Sequence, residues 1–234
     1  MEEYTFRGIL AVEEMHWWYV ARRQLIVDHV TGDRILEIGS GTGNILVALA
    51  KKCGEIIGID LSLAAANLSR DRTKQAILHN VEIVLADGLK LCFPKESFDM
   101  VICADIIEHI QDECTFLNEV RNVLKPGGYL LITAPASKRL WSRMDEELGH
   151  HRRYDLSGMR SLLWESRFRD IRIRYWNSIP FPLMLLYRRL LNPGFARELK
   201  VGNRFNSILY RLLKLEELVN LPFGASLFAV ARRT

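Results

Sequence analysis

Short apolar runs alternate with amphipathic stretches between residues 33 and 135, and this alternation predicts the fold. Five runs rich in Val, Ile and Leu predict strands, namely Arg34–Ile38, Glu55–Ile59, Val81–Leu85, Phe98–Cys103 and Tyr129–Thr133. Three amphipathic stretches predict helices, namely Asn44–Lys52, Ser62–Thr73 and Asp112–Leu124. Strands that alternate with helices form βαβ units, and the helices bury the parallel strands on both faces. The sequence therefore predicts an α/β fold with helices on both faces of a mostly parallel sheet.

The segments on either side of this alternation have other patterns. Apolar positions over residues 9–30 predict a helix before the first strand. Beyond Pro135 the sequence predicts a polar, basic loop at 137–155, a helix at 156–166, a strand near Ile171–Tyr175, a mostly helical insertion at 177–222 and a last strand at Ser226–Ala231. The prediction is one domain, residues 1–234, with an N-terminal helical lid (1–32), a ligand-binding core (33–135) and a C-terminal region (136–234) that contains the helical insertion.

Composition and charge exclude several classes of protein. Hydrophobic residues make up 49% and charged residues 26% of the 234 residues, as in soluble globular proteins, which excludes a disordered or collagen-like chain. No cysteine spacing suggests a metal or disulfide framework, and all four cysteines are predicted to be buried thiols. Residues 1–137 carry 13 basic and 19 acidic side chains, whereas residues 138–234 carry 19 and 9. The basic half is expected to face an anionic partner, although an ordinary solvated surface explains it as well.

The expected location is the cytoplasm. The N-terminal segment is acidic and does not resemble a signal peptide, and the longest apolar run, Ile179–Tyr187, is about half a bilayer span. Peripheral contact with a membrane stays open, because the 177–222 segment is amphipathic and basic. No nucleic-acid partner is expected, since no recognised binding module is present.

The most specific motif is the glycine-rich loop after the first strand, in the segment ILEIGSGTGN that ends at Asn44. Gly39, Gly41 and Gly43 permit tight turns and close approach of a ligand to the backbone. A dinucleotide fingerprint has the spacing G-x-G-x-x-G, but this loop has G-x-G-x-G. Glu37 precedes the first glycine by two residues, and its carboxylate suits a cationic ligand better than a pyrophosphate.

Acidic residues end the next strands. Asp60 follows Gly39 by 21 residues, the offset at which an acid reaches a ribose diol. Asp87 and Asp105 end the third and fourth strands, and Asp87 could accept a hydrogen bond from an adenine amino group. Ligands of open α/β sheets bind at the carboxyl ends of the strands, so these acids are expected to surround one site.

These motifs together resemble the class I S-adenosylmethionine-dependent methyltransferases. The matching segments cover about residues 33–135 and are ILEIGSGTGN, IIGIDLS, VLADGLKL, SFDMVICADIIEHI and LKPGGYLLITAP. The resemblance implies a Rossmann-like sheet of seven strands with only the last one antiparallel, and S-adenosylmethionine as the cofactor, with S-adenosylhomocysteine as its product. The implied cofactor-binding residues are Glu37, Gly39, Ser40, Gly41, Thr42, Gly43, Asn44, Asp60, Leu61, Asp87, Gly88, Ala104, Asp105 and His109. Within this set, the glycine loop and Glu37 would hold the methionine portion, Asp60 the ribose, and Asp87 with Gly88 the adenine.

The segment ADIIEH supplies candidate chemistry for the transfer. Methyl transfer to a hydroxyl requires a base, and the candidates are His109, His150 and His151. Asp105, Glu108 and His109 also resemble a divalent-metal site of quinone-pathway O-methyltransferases. The simpler interpretation, which we favour, is that Glu108 and His109 line the methionine pocket, and no metal is predicted.

Two further motifs resemble those of bacterial methyltransferases from glycan, polyketide and lipid-linked pathways. One is D-x-x-x-G-H-x-R-R-Y, which ends at Tyr154, and the other is His16-Trp-Trp-Tyr with Arg22-Arg23 after it. They imply the acceptor-binding residues Trp17, Trp18, Arg22, His150, Arg152, Arg153 and Tyr154. The predicted catalytic residues are His150, Tyr154 and His109. The alternatives are an internal ion pair between Asp145 and an arginine, and plain core packing of the N-terminal aromatics.

The sequence thus predicts an enzyme that transfers a methyl group from S-adenosylmethionine to an oxygen of a small-molecule, glycan-linked or lipid-linked acceptor, which is anionic if the arginines bind it. One alternative is a cofactor-binding scaffold or regulatory subunit without catalytic activity. A second alternative is a nicotinamide-dependent oxidoreductase. The sequence does not predict the oligomeric state.

Overall fold

The computed structural model describes residues 3–192, 194–195, 203–216 and 219–234. Within these residues, seven strands form one sheet in the order β3-β2-β1-β4-β5-β7-β6. The strands are β1 (Arg34–Ile38), β2 (Glu55–Asp60), β3 (Val81–Leu85), β4 (Phe98–Ala104), β5 (Leu124–Pro135), β6 (Phe168–Trp176) and β7 (Ser226–Arg233). Strand β7 is antiparallel to both of its neighbours, whereas the pairs among β1 to β5 are parallel. The predicted mostly parallel sheet with a reversed last strand is confirmed.

Helices cover both faces of the sheet. They are α1 (Glu3–Val12), α2 (Trp17–His29), α3 (Asn44–Leu49), α4 (Leu63–Gln75), α5 (Glu113–Val123), α6 (Arg143–Leu148), α7 (Leu156–Glu165), α8 (Phe181–Leu191) and α9 (Asn203–Glu216). Three helices have an N-cap residue whose side chain accepts a hydrogen bond from a backbone amide of the first turn. Ser62 accepts from the Ala65 amide, Asp112 from the Thr115 amide and Asp155 from the Gly158 amide. Among the helices described, none combines the length and the hydrophobicity that a membrane span requires.

Alternate residues of the strands feed two apolar cores, one on each face. On β1, Leu36 and Ile38 pack into the core beneath α5 and α7, whereas Ile35 packs into the core beneath α2 and α3. Glu37 follows the alternation of Ile35, so its carboxylate lies on the face that the N-terminal helices cover. This position explains how an acidic side chain comes to be buried beside the glycine loop.

Three sequence expectations need correction. Residues 9–30 do not form one helix, because His16 has an extended backbone and caps a new helix by accepting from the Trp18 amide. The 137–155 segment is not all loop, since Ser142 and Asp145 form a capping box that begins α6. Of the four cysteines, Cys92 and Cys114 are exposed. In the predicted helical insertion at 177–222, the residues 193, 196–202 and 217–218 lie outside those described.

Candidate active site

A cavity of about 1020 Å³ lies at the carboxyl ends of β1, β2 and β4. Its floor is the glycine loop, and its other walls come from the N-terminal helices, the 3₁₀ turn Ile107–His109, α6 and α8. The volume is at the upper end of the range for small-molecule sites. It is large enough for a nucleoside-sized cofactor together with an acceptor.

The glycine loop is held to β2 by its backbone. The amides of Gly39 and Ser40 both donate to the Ile59 carbonyl, at 2.8 and 3.0 Å. Gly41 has a φ of +54° and lines the cavity, and a Cβ there would meet nothing within 4 Å. Gly43 differs, since it does not line the cavity and a Cβ on it would lie 2.5 Å from Ser69 Oγ. Gly43 therefore allows α3 to pack closely against α4. The glycines that face the ligand are Gly39 and Gly41.

Asp60 connects the loop to the end of β2. Its Oδ2 accepts from the Gly41 amide and its Oδ1 from the Ser62 amide, each at 2.9 Å. Burial raises the pKa of this carboxyl, and the two amide bonds oppose that rise. Farther along the same wall, Asp87 accepts from the Leu89 amide at 2.9 Å and lines the cavity beside Gly88. The acids predicted for the ribose and the adenine thus lie on one wall.

Glu37 is the clearest sign of a ligand at this site. Its side chain is 1% exposed, and within the described part of the chain Oε2 has no hydrogen-bond partner. Burial raises the pKa of Glu37 well above its ordinary value, with the charges of Asp60 and Glu13 adding to the effect and that of Arg22 opposing it. A cationic, hydrogen-bond-donating group in the cavity would supply the missing partner. The α-amino group of S-adenosylmethionine has this chemistry, so the donor set fits the predicted cofactor.

Arg22 and Asp105 form an ion pair on the neighbouring wall. Arg22 Nη1 lies 2.5 Å from Asp105 Oδ2, which also accepts from the Thr133 hydroxyl at 2.8 Å. The Arg22 guanidinium stacks on the Trp18 ring, 4.5 Å from its centroid. Arg22 is therefore already engaged inside the protein, and Trp17 and Trp18 line the cavity beside it.

The segment that joins α1 and α2 is bound to the glycine loop. Glu13 is 2% exposed and accepts from the Thr42 hydroxyl at 2.7 Å. Arg72 of α4 pairs with both Glu13 and Glu14, and Glu14 also accepts from Asn44 at 3.3 Å. Sequence reasoning missed Glu13, Glu14 and Arg72, and the only available signal was two acidic residues at the end of an apolar stretch.

Asp145 organises the wall of the cavity that α6 and the residues after it form. It is fully buried and accepts from His150 Nδ1 at 2.8 Å and from Arg153 Nε and Nη2 at 2.8 and 3.0 Å. Burial alone would raise the pKa of Asp145, but the bonds from His150 and Arg153 hold it at about 2. Arg153 also donates to the Ala136 carbonyl at 3.0 Å. The internal ion pair considered in the sequence analysis is therefore present, and it uses Arg153.

Beside Asp145, three ionisable side chains converge on the cavity: Glu108, His109 and His150. One ligand atom from each lies within 4.8 Å of the others, which makes them a group that could hold a metal ion. His150 Nε2 is 3.9 Å from Glu108 Oε1, and the two imidazole centroids are 4.8 Å apart. Burial and the neighbouring His150 lower the pKa of His109 to about 4, whereas burial and the charge of Asp105 raise that of Glu108. We call these three residues the Glu-His-His cluster.

Arg152 and Tyr154 do not reach the cavity. Arg152 pairs with Glu113 and donates to the Gln111 carbonyl at 3.2 Å. The Tyr154 hydroxyl lies 2.5 Å from Glu113 Oε1, and burial together with this carboxylate raises its pKa. Neither side chain is among the residues described as lining the cavity. The geometry therefore does not support an acceptor contact for Arg152 or a catalytic role for Tyr154.

Nearly all other predicted site residues meet at the cavity. From the cofactor set they are Glu37, Gly39, Ser40, Gly41, Thr42, Asn44, Asp60, Leu61, Asp87, Gly88, Ala104, Asp105 and His109. From the acceptor set they are Trp17, Trp18, Arg22, His150 and Arg153. The structure adds Phe6 and Ile9 of α1, which the sequence did not single out. It also places at the cavity four residues of the segments Pro180–Leu191 and Phe205–Leu221, which the sequence suggests as a pocket for a long apolar acceptor, namely Leu183, Met184, Tyr187 and Leu209.

Comparisons with known proteins agree with this geometry. Residues 36–132 match the family model described as "Methyltransferase domain". The protein is similar to the YcgJ protein of Bacillus subtilis (TM-score 0.66, 18% identity, 91% of this chain and 97% of that chain). It is also similar to phosphoethanolamine N-methyltransferase 2 of Haemonchus contortus, solved with S-adenosyl-L-methionine (TM-score 0.62, 24% identity, 87% of this chain and 49% of that chain). The fold is that of the S-adenosylmethionine-dependent methyltransferases.

Two curated relatives match the sequence in part. The demethylmenaquinone methyltransferase of Listeria welshimeri is 33% identical over 102 residues, which is 42% of this chain and 43% of the relative. The ubiquinone/menaquinone biosynthesis C-methyltransferase of Coxiella burnetii is 32% identical over 106 residues, 44% of this chain and 42% of the relative. The chain thus spans less than half the length of the curated relatives it matches. The predictions of a methyltransferase and of S-adenosylmethionine as its cofactor agree with the comparisons.

Proposed function

We propose that this protein transfers the methyl group of S-adenosylmethionine to an oxygen atom of an acceptor that has an apolar portion. The observation that carries the proposal is His150, which Asp145 holds through Nδ1 while Nε2 makes no hydrogen bond to the described residues. A hydroxyl keeps its proton at neutral pH, so methyl transfer to it needs a base. An imidazole oriented by a buried carboxylate supplies that base.

Each wall of the cavity has its own part in the proposal. S-adenosylmethionine supplies an activated methyl group on a sulfonium centre. Glu37 and the glycine loop would bind its methionine portion, Asp60 its ribose, and Asp87 with Gly88 its adenine. His150 accepts the acceptor's proton, and the buried walls exclude water and align the reacting atoms. The geometry also supports the assignment to methyltransferases with the G-H-x-R-R-Y motif, because Asp145, His150 and Arg153 of that motif form one network.

The N-terminal helices would act as a lid. Their junction closes over the glycine loop through the Glu13–Thr42 hydrogen bond and the two ion pairs of Arg72. Because this contact is made by side chains just after the end of α1, breaking it would leave the backbone pairing of the sheet intact. This arrangement supports entry of the cofactor from the α1 side.

The first prediction concerns the cofactor. The Asp60→Ala variant should bind S-adenosylhomocysteine more weakly by roughly 1–3 kcal/mol, since the ribose loses an acceptor and the Gly41 and Ser62 amides lose their partner. Calorimetry measures the change, and Glu55→Ala, on the exposed start of the same strand, is the control. An unchanged affinity for S-adenosylhomocysteine would rule out the ribose contact.

The apolar end of the cavity favours an acceptor with a hydrocarbon portion. Met184 and Tyr187 of α8 and Leu209 of α9 line it, and Leu183 is 68% exposed at its mouth. The outer face of α8 carries exposed leucines and Arg189, which supports peripheral contact with an anionic membrane and a lipid-linked acceptor.

The second prediction follows from this apolar wall. The Met184→Glu variant should raise the KM for an apolar acceptor by about tenfold or more, because a methionine side chain that an acceptor covers fully contributes roughly 1.5–3 kcal/mol of apolar contact. Its affinity for S-adenosylhomocysteine should stay at the wild-type value, since Met184 is not among the residues assigned to the cofactor. A KM that does not change would place the acceptor elsewhere.

A further inference from the structure

We propose that the Glu-His-His cluster binds one divalent transition-metal ion, such as Zn²⁺, on the wall of the cavity. Glu108, His109 and His150 come from two segments that are far apart in the sequence, yet one ligand atom of each lies within 4.8 Å of the others. All three line the cavity, so an ion held there would face a bound acceptor. Two imidazoles and a carboxylate form a donor set that suits zinc, cobalt or iron better than magnesium or calcium.

The surroundings of His150 are those of a metal ligand. Imidazoles that bind metals almost always donate their other ring N–H to a carboxylate or a carbonyl. His150 Nδ1 lies 2.8 Å from Asp145 Oδ1, and Asp145 is fully buried. Nε2 of the same ring lies 3.9 Å from Glu108 Oε1.

The buried carboxyl group of Glu108 independently indicates a cation at this place. The side chain is 1% exposed, and its Oε2 has no hydrogen-bond partner among the residues described. Burying a carboxylate oxygen without a partner is costly, and a bound cation would remove that cost. Two guanidinium groups nearby are engaged with other acids, Arg22 with Asp105 and Arg153 with Asp145.

Asp105 is excluded from the ligand set, although it precedes Glu108 by only three residues. Its Oδ2 already receives both Arg22 and the Thr133 hydroxyl. The metal set that the sequence suggested, with Asp105 in it, is therefore replaced by one in which His150 takes that place.

The consequence for catalysis rests on the proposed function. An ion held there would supply Lewis-acid chemistry, which lowers the pKa of a hydroxyl group that approaches it. Nε2 of His150 cannot bind an ion and accept a proton at the same time. The base role of His150 in the proposed function therefore belongs to the metal-free protein.

The test titrates Co²⁺ into the full-length, tag-free, metal-stripped chain and records the visible absorption that Co²⁺ shows in a nitrogen and oxygen site. One equivalent should bind, Zn²⁺ should displace it, and Mg²⁺ should not. The variants His150→Ala and Glu108→Gln should weaken Co²⁺ binding by about tenfold or more. His151→Ala, which removes the exposed neighbouring imidazole, should bind Co²⁺ as the wild type does.

Calorimetry with S-adenosylhomocysteine, together with circular dichroism, shows whether each variant is folded. Glu108→Gln keeps the shape of the side chain and serves as the test if His150→Ala does not fold. The inference is overturned if the wild-type chain takes up no Co²⁺, or if both folded variants bind it normally. Because metal binding is measured without an acceptor, failure of the metal site leaves the proposed methyl transfer standing. If the protein binds Co²⁺ but transfers no methyl group, the proposed metal site stands and the proposed function is wrong.

Discussion

Replacing His150 with alanine is expected to lower methyl transfer by roughly 10²–10⁴-fold, the usual contribution of a positioned acid–base group. The reason is that Nε2 of this ring faces the cavity while Asp145 holds Nδ1 at 2.8 Å. Release of S-adenosylhomocysteine, measured with a metabolite extract as the source of acceptor, gives the rate. The affinity for S-adenosylhomocysteine should change little, because His150 is not among the residues assigned to the cofactor.

The His151→Ala variant is the matched control for this experiment. Its imidazole is exposed on the adjacent residue, so its turnover should equal that of the wild type. If His150→Ala lost cofactor affinity and turnover to the same extent, the residue would have a structural role. If turnover did not change, His150 would have no part in the chemistry.

The Asp145→Ala variant is expected to lose roughly 3–5 kcal/mol of the free energy of unfolding, as when one partner of a buried ion pair is removed. Asp145 is fully buried, and its loss leaves the buried Arg153 guanidinium without its carboxylate. Arg188, 3.8 Å from Asp145, loses a counter-charge as well. Urea unfolding followed by circular dichroism measures the change.

An exposed ion pair provides the comparison for Asp145. Glu55 pairs with Arg34 at 2.8 Å, and both side chains are at least one-third exposed. The Glu55→Ala variant should therefore lose no more than about 1 kcal/mol. Similar losses in the two variants would contradict the assignment of Asp145 as the centre of a buried network.

Much of the fold could be predicted because a parallel sheet buried on both faces requires continuous apolar runs. Each predicted strand overlaps a strand of the structure, and the glycine loop lies between β1 and α3 as expected. The break between α1 and α2 was missed, because the apolar pattern continues through it and only the cap at His16 ends it. The start of α6 could have been found from Ser142 and Asp145, which have the spacing of a capping box.

The cofactor side of the site could be predicted from the sequence better than the acceptor side and the lid contacts. The cofactor side depends on residues next to strand ends, and these could be placed because parallel strands end at one edge. Contacts such as Glu13 with Thr42 and Glu13 with Arg72 join residues 29 and 59 positions apart, and only tertiary packing decides them. Tertiary packing also decides the positions of Arg152 and Tyr154, because both contact Glu113 on α5 and do not line the cavity.

The most direct test of the account is transfer of an isotopically labelled methyl group from S-adenosylmethionine to a metabolite extract, with the labelled product identified by mass spectrometry and NMR. The account predicts release of S-adenosylhomocysteine and a labelled methyl ether on an acceptor with an apolar portion, both nearly lost in His150→Ala. A label on carbon or nitrogen would contradict the oxygen assignment. Binding of S-adenosylhomocysteine without any transfer would indicate a non-catalytic scaffold, and binding of a nicotinamide cofactor in its place would indicate an oxidoreductase.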